Sequence, residues 1–161
     1  MRALSRVLYG LHDLRRAYWR TFEPTVVGVR ALVLGAEGAE LMLVRHSYLP
    51  GWYLPGGKVD RGETAHDAVC REVAEECALR AERARLLGVY ANREQNRNDH
   101  ILLYEIRAFS AGPRPSLWHR LEIAEARFFP ITKLPPDTTP ATLRRLAEHH
   151  AARPVPVAPH W

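Results

Sequence analysis

Gly57-Lys-Val-Asp-Arg-Gly-Glu63-Thr-Ala-His-Asp-Ala-Val-Cys-Arg71-Glu72-Val73-Ala-Glu75-Glu76-Cys77-Ala78-Leu79 is the stretch on which the reading of this chain turns. A glycine turn leads into a segment with helical patterning whose second half is crowded with glutamates. Each helical residue turns by about 100°, so Glu72, Glu75 and Glu76 share one face. Three carboxylates that close repel one another and weaken an isolated helix. A hard divalent cation with oxygen ligands offsets that repulsion.

The helix start is legible on its own terms. Thr64 is a good N-cap, and Asp67 three positions later adds a weak capping box with an acid suited to the helix dipole. Ala65, Val69, Val73 and Cys77 recur at four-residue spacing and predict the buried stripe, with the glutamates turned away from it. Just upstream, Gly51-Trp-Tyr-Leu-Pro-Gly-Gly57 is a turn-rich run with a very short strand. Its glycines, Gly56 and Gly57 among them, let backbone approach a ligand or metal closely.

A chain of 161 residues suits one domain with a real core plus some extension. At 47% hydrophobic and 25% charged it has ordinary globular composition. The net charge is +5, and of the 23 basic residues only Lys58 and Lys133 are lysine. Within this positive chain Asp60, Glu63, Asp67, Glu72, Glu75 and Glu76 form a negative island. An acidic metal site among arginines suits a phosphate substrate, whose charge metal and guanidinium share. Cys70 and Cys77 lie two helical turns apart, too far for a bond between them, and no zinc spacing is present. Reduced thiols point to the cytoplasm. No apolar run is long enough to cross a bilayer, and there is no signal-peptide core.

Residues 1–24 read as an amphipathic helical extension: Leu4, Val7, Leu8, Leu11, Leu14 and Tyr18 keep helical spacing among arginines. Such a helix docks on its own domain or on a second subunit, making a homodimer, with a membrane surface as the competing partner. Residues 25–150 form the domain. Thr25 to Leu34 and Glu40 to Arg45 read as a hairpin around Gly35-Ala-Glu-Gly38. Leu86 to Ala91, Ile101 to Phe109 and Arg127 to Phe129 are further strands. A polar loop, Asn92 to Asp99, sits between the first two of these. Thr139 and Pro140 open a helix that runs to about His150. The Pro-rich tail, residues 151–161, is extended. This order predicts an α+β domain, a mixed β-sheet between helices.

The box quoted at the outset resembles the signature of the Nudix hydrolases: Gly57, Glu63, Arg71, Glu72, Val73, Glu75, Glu76 and Leu79 all fall in place, and Ala78 stands where the family has glycine. That departure touches the helix cap, not the chemistry. The resemblance covers about residues 25 to 150. It implies a Nudix-type α/β/α sandwich and hydrolysis of a phosphoanhydride in a nucleoside diphosphate derivative, with magnesium or manganese. It also implies the roles: Glu72, Glu75 and Glu76 as metal ligands with the Gly56 carbonyl, Arg71 orienting a carboxylate, and Glu63 supporting the loop–helix geometry. A plain ion pair between Glu63 and Arg71 is compatible with those roles.

The general base has three candidates, Glu72, Glu122 and Glu125, the last two expected on a loop near the final strand. His46 and His100 are further options as base or phosphate donor. Arg45, Tyr48, Trp52 and Gly57 are the expected substrate contacts, with Tyr48 or Trp52 stacking on a nucleobase. Core packing is the competing role for Trp52 and the expected one for Tyr104. The resemblance's tells for ADP-ribose and for dinucleoside polyphosphates are missing: Glu94, Asn96 and Arg97 stand at those places. A nucleoside triphosphate or a broad nucleotide range is therefore the expected substrate, with no stable nucleic-acid partner. Two other classes compete: a nucleotide-binding module without turnover, and a pyrophosphohydrolase of RNA ends that would use the arginines as a strand track. A module without turnover usually loses box glutamates, and here all are kept.

Overall fold

The structure is a computed structural model that describes residues 25–92, 98–151 and 160–161. The expected N-terminal helix, most of the polar loop after Asn92 and most of the tail lie outside those residues. The chain runs β1 (Thr25–Gly35), β2 (Glu40–His46), α1 (Ala65–Cys77), β3 (Leu79–Asn92), β4 (Asn98–Ala111), α2 (Leu117–Glu122), β5 (Ile123–Pro130) and α3 (Pro140–His150). The strands form one sheet in the order β3-β4-β1-β2-β5. β1 and β4 run parallel and the other neighbours antiparallel, so the sheet is mixed as expected.

A Val/Leu-rich strand with both faces covered is what β1 becomes. Val29, Ala31 and Val33 pack under α1 against Ala68, Val69 and Val73. Leu32 and Leu34 point the other way, into a core of Leu41, Leu43, Trp52, Leu54, Phe129 and Leu146, the last from α3. The sheet thus has a helix on each face. Burying one side chain such as Val73 contributes about 1.5–3 kcal/mol.

The detail that makes a site is where β1 and β2 part. They pair only near their turn, at Leu34 with Leu41 and Gly35 with Glu40. Beyond that the segment after Gly51 fills the gap. Tyr53 exchanges both backbone hydrogen bonds with Val44 on β2. On the other side Ala31 donates to the Pro55 carbonyl, Val29 to the Gly57 carbonyl, and Val59 to Val27. Gly56 and Gly57 are thereby clamped against β1, in front of the α1 glutamates.

Three local expectations change. The buried face of α1 is Ala68, Val69, Val73 and Glu76, with Ala65 and Cys77 half-buried at its margin. β3 starts at Leu79, well before Leu86; bulges and the exposed Arg80, Glu82, Arg83 and Arg85 break the alternation that would mark a strand. The stretch before Pro130 is not a loop: Glu122 ends helix α2 and Glu125 lies within β5. The α1 caps follow the sequence. Thr64 Oγ1 accepts from the Asp67 amide, and Ala78 takes the left-handed conformation (φ 56°) that a glycine would favour.

Candidate functional site

The α1 acids are held by a fixed set of partners. Arg71 sits at the centre: Nε and Nη2 donate to the two oxygens of Glu63 at 3.1 and 2.8 Å, a bidentate pair. Its Nη1 donates to Glu72 Oε1 and to Glu75 Oε2, both at 2.9 Å, and Nη2 also reaches the Lys58 carbonyl. Glu63 accepts in addition from the Asp60 amide at 2.7 Å. The Arg71 hydrogen bonds and that amide hold its carboxyl down at about 2. Glu63 and Arg71 are therefore a permanent ion pair joining the loop to the helix.

Glu76 is placed differently. It is buried, and its Oε2 accepts from the Gly56 amide at 2.8 Å. Burial pushes its pKa up to about 8, opposed by the nearby Arg30 charge and the Gly56 hydrogen bond. Burial raises Glu72 as well, against the pull of Arg71. Two carboxylates whose charge burial disfavours stand one helical turn apart, which is chemistry that a cation relieves.

The donor set fits a hard cation: oxygen only, with the Gly56 backbone at hand. Among the described residues, however, no three acidic, histidine or cysteine side chains converge on one point. Glu72 and Glu75 are bound to Arg71, and Glu76 to the Gly56 amide.

The two glutamates from the far end of the sequence separate in space. Glu122 accepts from the Tyr48 hydroxyl at 2.8 Å, and its charge acts on Glu76 and His46. Glu125 lies opposite Arg45 in the β2–β5 ladder, bonded to Arg45 at 2.9 Å and beside Arg127 at 3.3 Å. Trp52 is 5% exposed and packs edge-on against Phe129, which is the core placement weighed against a stacking role. Arg45 lies over that Trp52 ring. Tyr104 is buried as expected, and His100 is exposed on β4.

Two residues of this region went unread in the sequence. His119 on α2 brings Nε2 to 3.2 Å from Glu75 Oε2; six residues of helix leave too little periodicity to mark it. Arg30 stands near Glu72, Glu76 and His46. A lone charge inside the run from Thr25 to Leu34 was the available signal, since buried strands rarely keep one.

The family model for the NUDIX domain matches residues 24–150. An ADP-ribose pyrophosphatase from Methanocaldococcus jannaschii is 34% identical over 134 residues, 81% of this chain and 76% of that protein. A MutT-like protein from Streptomyces ambofaciens is 39% identical over 66 residues, 41% of this chain and 42% of its own length. The chain spans about half the length, or less, of several curated relatives that it matches. Among solved structures, a MutT NUDIX hydrolase from Burkholderia pseudomallei is 32% identical, with a TM-score of 0.66 over 78% of this chain and 98% of that one. Fold and comparisons agree: the chain belongs to the NUDIX family.

Proposed function

We propose that this protein is a metal-dependent hydrolase that cleaves a phosphoanhydride bond in a nucleoside diphosphate derivative, with a nucleoside triphosphate or a broad range of nucleotides as substrate. The observation that carries this reading is the pair of carboxylates, buried Glu76 and half-buried Glu72, set against the Gly56–Gly57 loop. A plain acidic surface would leave them solvated.

Glu72, Glu75 and Glu76, with the Gly56 carbonyl, would hold magnesium or manganese. When bound, such an ion neutralises phosphate charge and lowers the pKa of a water. Arg71 orients Glu72 and Glu75, and Glu63 holds Arg71 in place. Glu122 is the general base: its carboxylate is near Glu76, and the Tyr48 hydroxyl positions it. Glu125 is left to structure by its pairing with Arg45 and Arg127. The free thiols Cys70 and Cys77 suit the cytoplasm.

The test is release of phosphate or pyrophosphate from a panel of nucleotides with magnesium or manganese. Glu76→Gln should abolish turnover while the thermal melt stays cooperative. Full activity in chelator would falsify the metal mechanism.

A further inference from the structure

α1 covers only part of its face of the sheet. Val29, Ala31 and Val33 are fully buried beneath it, but Val27, two residues before Val29 and on the same face of β1, is 41% exposed. The exposure continues across the sheet. Val89 pairs with Leu102 and Leu86 with Tyr104 in the β3–β4 ladder, and directly opposed residues share a face. Leu102 and Tyr104 pack with the core beneath α1, so Leu86 (48% exposed) and Val89 (38%) lie on that face too. Half-buried Leu102 stands between Val89 and β1, where it pairs with Val29. Val27, Leu102, Val89 and Leu86 thus form one apolar strip over three strands, whereas singly scattered residues would need no explanation. The strip adjoins the Val59–Val27 hydrogen bond that joins the Gly57 loop to β1.

The sequence before β1 carries a stripe that matches this strip. Leu8, Leu11, Leu14 and Tyr18 keep helical spacing over about 15 Å at 1.5 Å per residue. β1 and β3 lie two strand spacings apart, about 10 Å. Residues 19–24 join Tyr18 to β1 and reach at most about 20 Å, enough to bring the stripe over the strip. A tether this short gives the segment a local concentration on the order of millimolar, which favours it over a second copy or a membrane surface. The margins carry opposite charge. Arg15 follows Leu11 by four residues and borders the stripe, while Arg2, Arg6, Arg16 and Arg20 fall on the opposite side of the helical wheel. At the margin of the sheet face stands exposed Asp67, next to His66, whose ring lies 6.4 Å from that of Tyr104.

We propose that residues 1–24, which lie outside the described residues, dock as an amphipathic helix on this strip of their own chain, with Leu8, Leu11, Leu14 and Tyr18 against Val27, Leu86, Val89 and Leu102. The docking is independent of the hydrolase reading.

The test is hydrogen exchange on the full chain, followed peptide by peptide with mass spectrometry. In wild type the amides of residues 4–18 should exchange at least about tenfold more slowly than in unstructured chain. Leu86→Asp should abolish that protection while β1 and β4 keep theirs, and Leu11→Asp should speed exchange across Leu86–Val89 from the other side. Val89→Thr keeps the shape and the strand preference, should remove part of the protection, and serves if an aspartate variant does not fold. Folded variants of the strip that leave residues 4–18 protected as before would overturn the assignment, as would a wild type with no protection there. Sedimentation at two protein concentrations and addition of anionic vesicles separate the other occupants. Protection that appears only with dimer assigns the segment to a second copy, and protection only with vesicles assigns it to a membrane; either result refutes the docking.

Discussion

Gly57 and Glu72 meet so closely that a methyl on the glycine would overlap the carboxylate, standing 2.7 Å from Glu72 Cδ. The atoms in the way end a flexible side chain, so the fold can yield. Gly57→Ala should therefore melt within a few degrees of wild type while pushing Glu72 aside, and kcat should fall on the order of a hundredfold. Gly56 is the contrasting case. Its φ is +136°, and a Cβ there would run into the Val29 carbonyl of β1, which is backbone. Gly56→Ala should cost about 3 kcal/mol or more in stability. Thermal melts beside steady-state kinetics on the two variants check both outcomes. Equal behaviour would mean that Gly57 does not set the position of Glu72.

Ala78 closes α1 in the left-handed region, with φ 56° and ψ 35°, and its carbonyl accepts from the Gly112 amide at 2.8 Å. The Cβ makes this conformation unfavourable by about 1–2 kcal/mol, part of which glycine's greater unfolded-state entropy would return. Ala78→Gly should stabilise the protein by about 0.5–1 kcal/mol, with kinetics unchanged, because the cap lies beyond the glutamates. Chemical denaturation measures it. A loss of stability would show that the surrounding packing has made alanine the better residue.

What the sequence made legible were features written locally. Thr64 as N-cap and the shared face of Glu72, Glu75 and Glu76 follow from helical geometry over a few residues. The Glu63–Arg71 pair, eight residues apart, also lies within the box. Features that depend on strands distant in sequence were not legible. Glu122 and Glu125 look alike in the chain. They separate because Arg45 lies opposite Glu125 in the ladder while Tyr48 reaches Glu122. Trp52 sits in a turn-rich run whose very short strand was legible, but not that Tyr53 pairs with Val44 and that the segment carries the ring into the core. The run Leu79–Arg85 hid its strand because bulges interrupt the two-residue period.

His46 supplies a pH dependence whose sign can be worked out. Its folded pKa of about 4 lies below the ordinary 6.5, so between those values the unfolded chain binds more protons. The stability from keeping this ring neutral is complete above pH 6.5 and is lost as pH falls toward 4. Its ceiling is about 3 kcal/mol. Glu76, with a raised pKa, acts in the opposite direction over part of the same range in metal-free protein, so a single curve is not enough. The difference between wild type and His46→Phe, followed by urea denaturation from pH 7.5 to 4, isolates the imidazole. Wild type should lose stability relative to the variant on acidification, and a flat difference would refute a buried neutral ring.

Trp52 and Tyr48 lie four residues apart and should fail in different ways when cut back. Trp52 fills the core against Phe129 and is nearly inaccessible, so Trp52→Ala leaves a cavity and should cost about 3–5 kcal/mol. The fraction that remains folded should keep its KM, because the ring has no face toward a ligand. Tyr48→Phe removes only the hydroxyl that donates to Glu122 at 2.8 Å. A hydrogen bond of this kind contributes about 0.5–1.5 kcal/mol to stability, so the melt should shift little. With its orienting partner gone, Glu122 should work less well as a base, and kcat should fall about tenfold with KM nearly constant. Measuring kcat and KM against pH for Tyr48→Phe, Glu122→Gln and the double variant completes the cycle. If hydroxyl and carboxylate act as one unit, the double variant is no slower than Glu122→Gln alone. Multiplicative losses would make Tyr48 an independent substrate contact and leave the orientation of Glu122 to other groups.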